Sequence, residues 1–416
     1  MRVKDVRVAP GMGGFFHDDQ LAIREGRPRD GFVYGGSPKT PGFHAVREPA
    51  EALLIMIVLE DGQIALGDCC SVQYAGVGGR DHASRGDDLV ARFGPLLREE
   101  LVGAAVSSFR DPDRRFRDLL LDGKRKLPAS VRYGLSQALL DAVAKARRVT
   151  MADVLRLEYG LGECNDPLRI YAQSGDNWRT NVDKMILKRV DVLPHGLVND
   201  PTHKVGSQGE KLYEMVGCVR DRILELRATK AYRPDLHFDV YGTLGIVFDD
   251  DLKAVANYLG RLEQRASPFP LRIEAPVDAG SQSAQIGTMR DLRDLLRERQ
   301  TSVELVADEW CNDLDDIQRF AEQHAADMIQ VKMPDLGGIH ATIEALLVCH
   351  EHGVKSLLGG SCTETDISTR VSAHIAVACR PYQLLAKPGM GVDEAVMITR
   401  NEIARASALG THRIGA

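Results

Sequence analysis

From about residue 190 of this 416-residue chain onward, short apolar runs repeatedly carry, at or near their ends, a residue that a buried segment has no reason to hold. "VDVLPHGLVN" contains His195, "LHFDVYG" Asp239, "LRIEAP" Glu274, "VELVADE" Asp308 and "MIQVKMP" Lys332. If these runs are neighbouring strands, Asp239, Glu274 and Asp308 meet side by side. Three such acids repel and raise one another's pKa unless a cation neutralises them. An all-oxygen set suits a hard divalent ion, Mg²⁺ in particular, which keeps positions for water or substrate oxygens. Singly, each acid reads as well as a solvated loop residue or a helix N-cap; the succession of three points to a metal.

Lys332 follows on the next run. Nearby Mg²⁺ and partial burial would both favour its neutral amine and make it a general base. The structural alternative is a salt bridge to Asp308 or Glu274. A metal and a base together are what proton abstraction beside a carboxylate requires, because a divalent ion makes the enolate dianion accessible by neutralising charge on the carboxylate oxygens.

Such residues need strands to carry them. From about residue 168 the chain alternates β-rich runs, beginning with "RIYAQS" and ending with "KSLLGGS" and "YQLLAK", with amphipathic stretches such as "DLKAVANYLGRLEQRA" and "IHATIEALLVCHEHG". About eight β/α units fit a parallel barrel, whose strand ends converge on one mouth; an open doubly wound sheet has the same periodicity. Residues 1 to about 160 read differently. "APGMGGFF" and "YGGSPKTPGF" look irregular, "EALLIMIVLEDGQIALGDCC" reads as a hairpin about an Asp-Gly turn, and three helical patterns follow, the last with Thr150 as its N-cap. The expected division is an α+β capping domain over 1–160 and a (β/α)8-type catalytic barrel over 161–416.

Composition narrows the partners. A hydrophobic content of 44% provides for a large core, and 53 basic against 59 acidic residues give a net charge of −6 without a basic block or stripe. Neither nucleic acid nor an anionic membrane is therefore expected, and a small-molecule substrate is. The strongly apolar run "ALLIMIVL" falls far short of the roughly 20 residues needed to span a bilayer, so a cytoplasmic location is the default. Eight cysteines without CxxC pairing argue against disulfides or structural zinc and are expected mostly as buried thiols.

The stretches "YAQSGDNWRTNVDKMI" (171–186), "LPHGLVND" (193–200), "FDVYGTLG" (238–245), "IEAP" (273–276), "ADEWCN" (307–312), "IQVKMPDLGG" (329–338) and "GGSCTETD" (359–366) together resemble the enolase superfamily, and within it the methylaspartate ammonia-lyase family. The resemblance implies Mg²⁺ ligands at Asp239, Glu274 and Asp308. It implies Lys332 as the base for the C3 proton of (2S,3S)-3-methylaspartate and His195 as acid/base on the opposite face. Gln173, His195, Gln330, Ser361 and Cys362 match substrate-binding positions, with Ser361 standing where the family pattern has Thr. The implied reaction is reversible elimination of ammonia to mesaconate, with K⁺ activation and a homodimer.

Rival readings have less to stand on. Racemase- and cycloisomerase-like members of the superfamily resemble this skeleton but carry Lys-x-Lys on the second strand, where this chain reads "VDVLPHGLVN". Enolase itself would want a cationic cluster for phosphate. The pairs "GMGG" and "LGG" complete no phosphate-binding fingerprint. A non-catalytic barrel stays open at this point.

Overall fold

The computed structural model describes residues 1–77, 80–83, 85–121, 123–162 and 167–410. Its larger part is a closed barrel of eight parallel strands: Ile170–Ala172, Val192–His195, Asp235–Asp239, Leu271–Glu274, Glu304–Ala307, Met328–Val331, Lys355–Leu358 and Gln383–Ala386. The strands follow chain order around the ring, and the eighth pairs with the first to close it. They are short and almost wholly buried, because helices cover the outside and side chains fill the inside. The open-sheet alternative is thereby excluded.

Before the barrel lies a three-stranded antiparallel sheet of Val3–Asp18, Arg47–Leu59 and Ile64–Cys69, with Arg47–Leu59 in the middle. The hairpin expected around Asp61-Gly62 is present. Helix Ala129–Arg147 is buried around most of its circumference. It crosses the sheet where two glycines meet: a Cβ on Gly67 would lie 2.1 Å from the Gly134 carbonyl, and one on Gly134 2.4 Å from Cys69 Sγ. On its other side Tyr133 donates to Glu364 of the barrel at 2.6 Å. Thr150 caps helix Met151–Tyr159 in a reciprocal box with Asp153.

One expectation fails. "APGMGGFF" is part of the long first strand and contains a register shift between Met12 and Phe16. Its glycines serve close approach. A Cβ on Gly13 would sit 2.4 Å from the Thr363 carbonyl and one on Gly14 2.6 Å from that of Glu364, while the Gly14 N–H donates to both carbonyls at 3.1 Å. The sheet thus lies directly on the loop after the seventh barrel strand. Cys69, Cys70, Cys311, Cys349 and Cys362 are buried free thiols and Cys218 and Cys379 are half-buried; Cys164 lies outside the described residues. No helix among those residues is long and apolar enough to cross a membrane.

Candidate active site

Asp239 and Glu274 end the third and fourth barrel strands in register, and Asp308 lies just beyond the fifth. One oxygen from each lies within 4.8 Å of the others, and all three residues are at most 3% exposed. Burial, then Glu309 and Asp308, push the Asp239 pKa well above the carboxylate range; burial, Asp239 and Asp308 do the same for Glu274. Glu274 Oε2 has no hydrogen-bond partner, and Asp308 Oδ1 has none besides its ion pair with Lys332. Buried carboxylate oxygens left in this state, all of them hard donors at mutual ligand distance, fit a divalent cation. Glu309, which the sequence reading passed over, is a fourth buried acid, pushed up to about 7 by burial and Asp308.

Lys332 Nζ lies 2.5 Å from both Asp308 oxygens. Burial opposes its charge, but Asp308 outweighs it and holds the lysine above its ordinary pKa. The salt bridge entertained from sequence and the metal-type acid cluster therefore coexist. His195 ends the second strand, four places from the Lys332 strand around the ring. Burial and the Lys332 charge lower it to about 3, so the ring is neutral at pH 7. Its Nε2 is 3.5 Å from Asp239 Oδ2 and 3.4 Å from Gln173 Nε2. Backbone strain gathers here: His195, Leu197, Tyr241, Ala275 and Trp310, all at or just past strand ends, have φ of 69°, 47°, 49°, 47° and 67°.

A cavity opens between these groups, with Gln173, Gln330, Ser361 and Cys362 in its wall. Gln173 Oε1 is buried without a partner, and Gln330 donates to Glu274 Oε1. The Ser361 hydroxyl accepts from the Gln73 N–H at 2.9 Å. Cys362 Sγ donates to Gln73 Oε1 at 3.4 Å; burial, then Asp18, push its pKa up, so the thiol stays protonated. Gln73, Tyr74, Arg80 and Tyr241 also line the cavity and were missed. Three of them come from the segment after the sheet, which no strand periodicity ties to the barrel. The available signal was the same as for the acids: polar residues immediately following an apolar strand, here in "DCCSVQYAG".

A closed βα-barrel under an N-terminal sheet domain, with Asp, Glu and Asp on successive strands and Lys on the next, defines an enzyme of the enolase superfamily. Muconate lactonizing enzyme from Pseudomonas fluorescens shares the fold at 17% identity, with a TM-score of 0.60 over 90% of this chain and 84% of its own. Residues 1–160 match the methylaspartate ammonia-lyase N-terminus family and residues 163–412 the methylaspartate ammonia-lyase C-terminus family. The chain is 48% identical over the full length of both proteins to methylaspartate ammonia-lyase 2 of Carboxydothermus hydrogenoformans. β-Methylaspartase from Clostridium tetanomorphum, solved as a Mg complex, superposes with a TM-score of 0.92 at 46% identity, covering 99% of this chain and 100% of that one. Methylaspartate ammonia-lyase from Citrobacter amalonaticus, solved containing (2S,3S)-3-methylaspartic acid, gives 0.95 at 44% identity, covering 98% and 99%. The chain belongs to the methylaspartate ammonia-lyase family and is a carbon–nitrogen lyase.

Proposed function

We propose that this enzyme eliminates ammonia from (2S,3S)-3-methylaspartate to give mesaconate, reversibly and with Mg²⁺ held by Asp239, Glu274 and Asp308. The observation that carries the reading is the buried cluster of three acids at mutual ligand distance, flanked by Lys332 and His195 from opposite sides of the ring. When bound, Mg²⁺ neutralises charge that develops on the distal carboxylate as the C3 proton leaves. Lys332 Nζ takes that proton, the C2–N bond breaks with release of ammonia, and the C2–C3 double bond forms. Lys332 needs to be neutral for this. Once Asp308 is engaged as a ligand its pull on the lysine proton weakens, and burial, which opposes the ammonium charge, is left to act.

His195 serves the opposite face and the (2S,3R) epimer. Gln173 and Gln330 orient the substrate through their amides, and Ser361 and Cys362 hold a substrate carboxylate, the thiol acting as a donor and not as a nucleophile. Residues 1–160 act as the cap and 161–416 as the catalytic barrel. The reading also includes K⁺ activation, a homodimer and a cytoplasmic location. Incubation with (2S,3S)-3-methylaspartate tests the proposal by mesaconate ultraviolet absorbance: the signal should appear with Mg²⁺, vanish with chelator, and rise when K⁺ replaces tetramethylammonium. No absorbance under any of these conditions would overturn it. Sedimentation velocity should report a dimer.

A further inference from the structure

Behind the wall of the cavity lies an ion pair that the proposed reaction does not use. Glu364 and Lys387 are both fully buried, with Lys387 Nζ 2.7 Å from Glu364 Oε1. Taking two charges out of water costs about as much as their attraction returns, and a well-packed apolar pair is often as stable. What such a pair holds is therefore more informative than its strength.

Lys387 stands just past the eighth barrel strand, and Glu364 stands in the segment 359–365 after the seventh. That segment gives Gly360, Ser361 and Cys362 to the cavity wall. Its ends are fixed by ordinary means. The Gly359 N–H donates to the Val331 carbonyl at 3.0 Å, and Thr365 caps helix Asp366–Cys379 in a reciprocal box with Ser368. The stretch between is held from behind by the pair. Glu364 Oε1 accepts from the Ser361 N–H at 2.9 Å and Lys387 Nζ donates to the Gly359 carbonyl at 2.8 Å, so the two charges grip the backbone on either side of Gly360. A Cβ on Gly360 would overlap both Glu364 Oε1 and Lys387 Nζ, and glycine is what lets them approach. Two residues after Lys387, the Gly389 N–H donates to the Cys362 carbonyl at 2.7 Å. The other carboxylate oxygen, Glu364 Oε2, accepts from Tyr133 of the cap at 2.6 Å. Both oxygens are thus engaged, one by the barrel and one by the cap.

We propose that Glu364 is a positioning residue for substrate binding: clamped by Lys387 and Tyr133, it sets the backbone at Ser361 so that Ser361 and Cys362 face a substrate carboxylate. The inference rests on the reading of those two residues as carboxylate holders. Loosening the clamp removes binding that ground state and transition state share, a loss that shows in KM and not in kcat.

The test is steady-state kinetics of the full chain at saturating Mg²⁺, with the two charges removed together so that neither is left buried alone. Glu364→Leu with Lys387→Met should raise KM for (2S,3S)-3-methylaspartate about 10- to 100-fold, the worth of a hydrogen bond to a charged group, while kcat changes by less than about threefold. Glu364→Gln with Lys387→Met keeps an oxygen for the Ser361 N–H and should recover most of the KM, which a role in packing alone would not predict. No mesaconate from wild type overturns the proposed function and this inference with it. Wild-type turnover combined with an unchanged KM in the leucine variant, a loss confined to kcat, or equal KM in the two double variants overturns the inference alone. If the leucine variant does not fold, Tyr133→Phe decides, since it deletes only the hydrogen bond to Oε2: a KM raised about 2- to 10-fold with kcat kept supports the inference, and an unchanged KM overturns it.

Discussion

The two ends of the barrel are built from the same kinds of residue and have opposite energetics. At the floor, where the strands begin, Arg272 lies between Asp235 and Glu304, Arg169 pairs with Asp235, and Lys355 pairs with Glu304. Tyr382 underlies all three cations. Three cations face two acids, and although burial opposes its charge, Arg272 and Lys355 draw Glu304 below its ordinary pKa. At the mouth, Asp239, Glu274, Asp308 and Glu309 share Lys332 and the more distant Arg80, whose closest approach to Asp308 is 3.9 Å. There Asp239, Glu274 and Glu309 are all raised. Buried charge does not by itself mark a functional site; buried charge left unmatched does.

Turnover should separate the two ends most. Asp239→Asn, Glu274→Gln or Asp308→Asn should each cut mesaconate formation by about 10³-fold or more, since a catalytic metal contributes several kcal/mol and each 1.36 kcal/mol is a decade. Lys355→Met, at the floor, should leave turnover per folded molecule unchanged. Equal losses at both ends would break the contrast. Within the mouth, Lys332→Ala should lose (2S,3S) elimination by about 10² to 10⁴-fold and keep more of any (2S,3R) activity, with His195→Ala doing the reverse. Equal loss of both epimers in both variants would reduce Lys332 to electrostatic support.

Stability should separate them in the opposite sense. Asp235→Asn removes one partner of a buried pair and leaves Arg272 undercompensated, which costs about 3–5 kcal/mol. Glu274→Gln removes one of several repelling acids, so the metal-free protein should withstand more urea than wild type. Urea melts in chelator read both; a mouth variant as damaged as Asp235→Asn would show that the acids are compensated without an ion.

The mouth was legible in the sequence because each barrel strand is a brief apolar run between amphipathic helices, and Asp239, Glu274, Asp308 and Lys332 break that grammar at its ends. The floor was not. Arg272 sits inside "LRIEAP" and Asp235 just before "LHFDVYG", where nothing in one sequence distinguishes a residue pointing into the barrel from one pointing out to the helices. Gln73 and Arg80 escaped for another reason: only the tertiary seating of the first strand, through Gly13 and Gly14, brings their segment over the mouth. Those glycines were misread as irregularity, because local propensity carries no information about the backbone that will pass within contact distance.

The smallest effect is the pH dependence of metal-free stability. Asp239 and Glu274 have folded pKa values above the unfolded carboxylate values near 4. As pH rises from there, the unfolded chain releases protons that the folded mouth still holds, so stability falls until the folded groups titrate. Glu304 has the opposite sign: its folded pKa is depressed, so its contribution is present above the unfolded value and is lost as pH falls through the folded one. In chelator, urea midpoints should therefore decline as pH climbs above about 4, and Glu274→Gln should flatten the decline. Mg²⁺ should flatten it too, because an ion that binds only the deprotonated, folded acids adds stability where the mouth loses it. A wild-type midpoint that rose with pH in chelator and was indifferent to Mg²⁺ would place the mouth in the same class as the floor, a matched network with no vacancy for an ion.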